Sequence, residues 1–100
     1  MPIRVSNIRF VQKTGKGHLL ETPINSQHIS QLESDIMRMI DHEGYTANST
    51  VTRRGMVIKN IKVKGTQRRA PGLVYSRLRE IIATGLEHRN MHAEVTGGRG

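Results

Sequence analysis

The chain has no cysteine and no tryptophan, and its only aromatic residues are Phe10, Tyr45 and Tyr75. Without cysteine there is no disulfide framework, no thiolate zinc site and no thiol nucleophile. No stretch approaches the roughly 18 consecutive apolar residues of a membrane-spanning helix. The first ten residues also lack the apolar core of a secretory signal. The expectation is a cytoplasmic protein, bacterial or viral-in-host, with no membrane partner. So few aromatics argue against extensive stacking on single-stranded bases. The last shortage is acid: residues 52–79 contain no Asp or Glu.

What is present fits one small domain. The chain has 100 residues, of which 35% are hydrophobic, and it contains ten isoleucines. A domain of this length buries about 60–70% of its unfolded surface, so the core is modest and aliphatic. The expected division is a single domain over residues 1–96 and a flexible tail over 97–100. The formal charge of +8 is unevenly spread. Residues 1–20 carry a net +4, residues 21–52 a net −4, residues 53–79 a net +9 and residues 80–100 a net −1. An acidic first helix and a basic second half give a directional field, not diffuse polyanion attraction.

Periodicity assigns the elements. Ile3 and Val5, then Ile8 and Phe10, alternate with a phase slip at Ser6-Asn7, which suits a β-bulge or a bend. Lys13-Thr14-Gly15-Lys16-Gly17 forms a turn, so residues 3–13 and 17–22 make a hairpin that Pro23 ends. Ser26 or Ser30 caps a helix, the latter through the Ser30/Glu33 capping-box pattern. Its apolar stripe is Ile29, Leu32, Ile36 and Ile40, widened by Met37 and Met39, and Gly44 stops it. Residues 45–52 alternate as a strand, Arg53-Arg54-Gly55 turns, and residues 56–64 return. On that return strand Val57, Ile61 and Val63 share one parity, with Lys62 and Lys64 on the other. Pro71 opens a second helix with the stripe Val74, Leu78, Ile81, Ile82 and Leu86, and Asn90 stops it. Met91, Ala93 and Val95 form a last strand. The fold class is α+β: a small antiparallel sheet of four or five strands with two amphipathic helices on one face, in the order β-(β)-α-β-β-α-β. A ferredoxin-like strand order is one solution.

The acid-free stretch holds nine of the sixteen Lys and Arg residues. Arg53 and Arg54 sit at a hairpin tip, Lys62 and Lys64 on one strand face, and Arg68 and Arg69 before a helix N-terminus, where free N–H groups favour anions. Arg77 and Arg79 lie further along that helix. These eight residues are the candidate nucleic-acid-binding set, holding the phosphates of duplex DNA or structured RNA. The layout from Leu32 onward is a helix, a Glu43-Gly44-Tyr45 turn, a hairpin with a basic glycine tip, a basic loop and a second helix. In that arrangement residues 30–88 resemble double-stranded-RNA-binding domains and small HicA-type mRNA interferases. The interferase resemblance implies a catalytic histidine near the hairpin glycine. Arg54-Gly55-Met56 supplies none, so no activity carries over.

Other chemistry is weakly signalled. His88 and His92 have a spacing that binds zinc on a helix face, but Asn90 interrupts it and no third ligand is placed. Asp41 and Glu43 lack the further acid a metal-dependent nuclease needs. His42 with an arginine is the one acid–base pair conceivable for a ribonuclease. The sequence therefore points to a non-catalytic binding protein without cofactor or metal, compatible with a dimer. Its rival is a mobile-element protein that blocks a host nucleic-acid machine. Such a protein binds a partner through the same basic face, or mimics phosphate with the acidic helix.

Overall fold

The computed structural model describes residues 2–13 and 15–97. Thr14 of the expected turn and residues 98–100 of the expected tail lie outside the described residues. Seven elements follow in order: β1 (Ile3–Lys13), β2 (Leu19–Pro23), α1 (Ser26–His42), β3 (Tyr45–Thr52), β4 (Gly55–Val63), α2 (Gly72–Glu87) and β5 (Met91–Gly97). Gly97, expected in the tail, is the last residue of β5 and pairs with Ile3.

All strands are antiparallel and form one sheet. β1 is its hub. One edge of β1 pairs with β5 from Ile3 to Phe10. The other edge is shared: β4 takes residues 3–5 and β2 takes residues 9–13. Setting β2 aside, the order β3-β4-β1-β5 with one helix between β1 and β3 and another between β4 and β5 is two interlocked split βαβ units. This is the ferredoxin-like order the sequence admits.

Both central strands use the same device to keep their apolar residues inside. In β1, Ile3 and Val5 are buried, Asn7 takes a left-handed backbone with φ 51°, and Ile8 is buried next. In β4, Met56 and Ile58 are buried, Asn60 takes φ 56°, and Ile61 is buried next. Asparagine tolerates this conformation better than most residues. Each extra residue shifts the register against the outer neighbour, β5 in one case and β3 in the other. The β1 bulge matches the phase slip in the sequence. The β4 bulge corrects the parity expected there. Val57 pairs with Arg4 and with Thr50 on the open face of the sheet, and Met56 and Ile58 face the core beside Ile61.

Against that core face lie α1 through Ile29, Leu32, Ile36 and Ile40, and α2 through Leu78, Ile82 and Leu86. Among the described residues the core contains no polar or charged side chain. Burial of each Ile or Leu contributes roughly 1.5–3 kcal/mol. The start of α1 also differs from expectation. Asn25 is the cap, its Oδ1 accepting from His28 N at 3.0 Å. Ser26 and Ser30 both lie inside the helix, and Ser30 Oγ donates to the Ser26 carbonyl at 3.4 Å. The stop at Gly44 is as expected, with φ 92°.

Gly55 has no room for a side chain. A Cβ there would sit 1.9 Å from the Val5 carbonyl oxygen and 2.8 Å from its carbon. Both are backbone atoms fixed by the β1–β4 pairing. Gly55→Ala is expected to lower stability by about 2–3 kcal/mol, the upper range for overpacking, read as a lower urea midpoint. Gly15→Ala, with nothing within 4 Å, is the control and should stay within about 0.5 kcal/mol of the wild type. Equal midpoints for the two variants would contradict the close approach.

Candidate nucleic-acid interface

The basic loop after β4 is an ordered extension of the sheet. Val63 N donates to the Arg68 carbonyl at 2.9 Å, and Ala70 N donates to the Ile61 carbonyl at 2.9 Å. Thr66 closes the turn, with Oγ1 donating to the Val63 carbonyl at 2.9 Å and accepting from Arg68 N at 3.1 Å. Lys62 and Arg69 are thereby paired directly opposite each other. Opposed residues of an antiparallel pair share a face, so both side chains project from the same side. Lys59 joins them, because the Asn60 bulge puts Ile58 and Ile61 inward and Lys59 and Lys62 outward. Lys62 Nζ donates to Gln67 Oε1 at 3.0 Å, a neutral partner that orients the ammonium and leaves its charge intact.

Two adjoining clefts open around these residues. One, of about 440 Å³, is lined by Pro2, Lys59, Asn60, Lys62, Gln67, Arg69 and Tyr75. The other, of about 210 Å³, shares Asn60, Lys62 and Gln67 and adds Thr46, Ala47, Asn48 and Thr66. Among the described residues neither has a carboxylate in its wall. α2 begins three residues after Arg69 without a side-chain cap at Pro71, so its first-turn N–H groups add to the positive potential nearby.

The other candidate cations divide into two groups. Arg53 and Arg54 occupy the β3–β4 turn at the opposite end of β4, on the order of 25 Å away at about 3.3 Å per residue. Arg54 also ties that turn to β1, its carbonyl accepting from Ile8 N at 3.2 Å. The second group is engaged within the chain. Lys64 pairs with Asp41 at 3.0 Å, Arg77 pairs with Glu43 at 3.5 Å, and Arg79 Nη1 donates to the Gly97 carbonyl at 3.1 Å. Among the described residues Arg53, Arg54, Lys59, Lys62, Arg68 and Arg69 form no ion pair with a carboxylate. The eight expected residues therefore do not form one surface. Lys62 and Arg69 come together, Arg68 follows in the same turn opposite Val63 and lines neither cleft, Arg53 and Arg54 stand apart, and Lys64, Arg77 and Arg79 are turned to internal partners.

Lys59, Asn60, Gln67 and Tyr75 were not among the expected site residues. The signal for Lys59 was Asn60 itself, an asparagine standing where the alternation of β4 has to slip. Arg4 also faces the open side of the sheet, between Val57 and Thr96.

Most acids of the first half have partners. Asp35 pairs with Arg38 at 3.1 Å and closely with Arg89. Glu21 pairs with Arg9 at 3.1 Å and lies 3.8 Å from His92 Nδ1. Of the acidic residues from Glu33 to Glu43 expected to mimic phosphate, Asp35, Asp41 and Glu43 are thus already in ion pairs, and Glu33 forms none among the described residues. His88 follows α2 and His92 lies within β5, so the two do not share a helix face. His42 ends α1 beside the basic loop. No family model, curated protein or solved structure matches the chain. The likeness of residues 30–88 to double-stranded-RNA-binding domains and interferases rests on element order alone.

The Lys64–Asp41 pair is half exposed on both sides, 56% and 56%. Such pairs contribute about 0–1 kcal/mol. Asp41→Asn should therefore cost less than about 1 kcal/mol in urea unfolding. A loss of several kcal/mol would make the pair a structural anchor and contradict its assignment as a charge-balancing contact.

Proposed function

We propose that this protein binds nucleic acid, contacting the phosphate backbone of duplex DNA or structured RNA through Lys59, Lys62, Arg68 and Arg69, without catalysing a reaction on it. Arg53 and Arg54 form a second contact at the far end of β4. One observation carries this reading: the internal acids neutralise Lys64 and Arg77 and leave the end of β4 without a carboxylate. The charges left over sit on a paired strand and a closed turn, so ordering them for a ligand costs less entropy than ordering a free tail. A duplex presents one phosphate charge per about 1.7 Å of axis. Two clusters on the order of 25 Å apart would therefore meet different phosphates of one duplex. No helix among the described residues is long and apolar enough to cross a membrane. A cytoplasmic site of action goes with the reading.

Binding of this kind weakens steeply with salt, with a slope of about −0.9 per phosphate neutralised on B-DNA. The test is fluorescence anisotropy with a short duplex DNA, a duplex RNA and a structured RNA between about 50 and 200 mM salt. The double variant Lys62→Glu/Arg69→Glu is expected to lose binding at least about tenfold and to flatten the salt slope by about 2. Arg77→Glu/Arg79→Glu should change affinity less than about threefold, since those guanidinium groups face Glu43 and Gly97. The reading fails if the wild type has no salt-sensitive affinity for any of the three. It also fails if a stoichiometric protein partner, surviving nuclease treatment, occupies the same face.

A further inference from the structure

The larger cleft has features that phosphate contact alone does not require. It opens where β4 changes partners. β1 accompanies β4 only as far as the Ile3–Ile58 pair, and the returning loop takes over at the Lys62–Arg69 pair. Among the described residues no strand lies beside Lys59 and Asn60 on that edge, and the cleft fills the gap. Its volume, about 440 Å³, falls in the range of roughly 300–1,000 Å³ typical of small-ligand sites. Its wall combines three kinds of chemistry. Lys59, Lys62 and Arg69 supply positive charge. Asn60 and Gln67 supply amides, and the Lys62 ammonium holds the Gln67 Oε1, so the amide nitrogen remains a donor. Tyr75, packed against the core on one side, supplies an aromatic ring to the wall.

We propose that this cleft takes one unpaired nucleotide of a structured RNA, with its phosphate against Lys62 and Arg69 and its base against Tyr75. The inference rests on the nucleic-acid reading above and narrows its target. A fully paired helix keeps its bases stacked and could offer the cleft only backbone. A bulged or looped nucleotide can be turned out, stacked on an aromatic ring and hydrogen-bonded along its base edge. Amide side chains match that edge, since Asn and Gln both donate and accept. A single aromatic ring suits one base and not a run of them. That agrees with a chain that has only three aromatic residues, of which Phe10 stacks edge-on against His28.

The test compares two RNA hairpins with identical stems, one fully paired and one with a single unpaired nucleotide, by anisotropy against wild type, Tyr75→Leu and Tyr75→Phe. Leucine keeps apolar packing against the core, and phenylalanine keeps the ring. Wild type is expected to bind the bulged hairpin about tenfold more tightly, in line with stacking values per base. Tyr75→Leu should abolish that preference and leave the paired hairpin unchanged, and Tyr75→Phe should retain it. Equal binding of the two hairpins by wild type overturns the inference and leaves the backbone reading standing. A Tyr75→Leu loss that is equal for both hairpins also overturns it, by making Tyr75 a packing residue only. Absence of salt-sensitive binding to either hairpin overturns this inference, and the backbone reading falls with it only if duplex DNA shows no salt-sensitive binding either.

Discussion

A β-strand has two edges, and β1 must satisfy three neighbours with them. It gives one edge to β5 and divides the other between β4 and β2. The division falls at Asn7 and Ile8, where Ile8 N donates to the Arg54 carbonyl and the Ile8 carbonyl accepts from Ile24 N. Those two bonds join the β3–β4 turn to the segment that leads into α1. Because β1 meets β4 only over residues 3–5, the second half of β4 lacks a strand partner on that side. The loop over residues 64–70 folds back to fill part of the vacancy. Most of what is distinctive about the basic end, including the opposed Lys62 and Arg69 and the cleft beside Asn60, follows from that short overlap.

The charge distribution becomes meaningful only on this frame. Surface ion pairs contribute little to stability, so Lys64–Asp41 and Arg77–Glu43 are not what holds α1 and α2 in place; the shared aliphatic core does that. Their effect is on the field. They cancel positive charge near the C-terminus of α1 and leave it uncancelled at the end of β4. At physiological ionic strength the screening length is about 8 Å. Lys59, Lys62 and Arg69 therefore act together, while Arg53 and Arg54, on the order of 25 Å away along the strand, act as an independent centre. A sequence-level total of +8 conceals this division.

Most of the fold was legible in the sequence because its signals are local. The helical steps from Ile29 to Ile40, the αL stop at Gly44, and the phase slip at Ser6-Asn7 each depend on residues a few positions apart. The misreadings have local causes too. Ser30 fits a capping pattern, but Asn25 lies one residue before the first helical turn and takes the role. The slip at Asn60 is hidden among Val57, Ile58 and Ile61, all apolar, so parity alone pointed Val57 inward. The candidate site was less legible for a different reason. Lys64 and Arg77 meet acids from the end of α1, and Arg79 meets a carbonyl in β5. Nothing in the neighbouring sequence announces those partners. Lys59 and Tyr75 become site residues only once the edge of β4 is left open beside them.

The central claim is that the acid-free end of β4 is where a nucleic-acid phosphate backbone is held. Backbone amide chemical-shift mapping of the isotope-labelled protein during titration with a short structured RNA tests this most directly. The account predicts that the largest perturbations fall on residues 59–62 and 66–70, with a second, separate set at residues 53–54. The amides around Asp41, Glu43 and Arg77 should stay nearly still. Perturbations centred on α1, or none at all at saturating RNA, would contradict it.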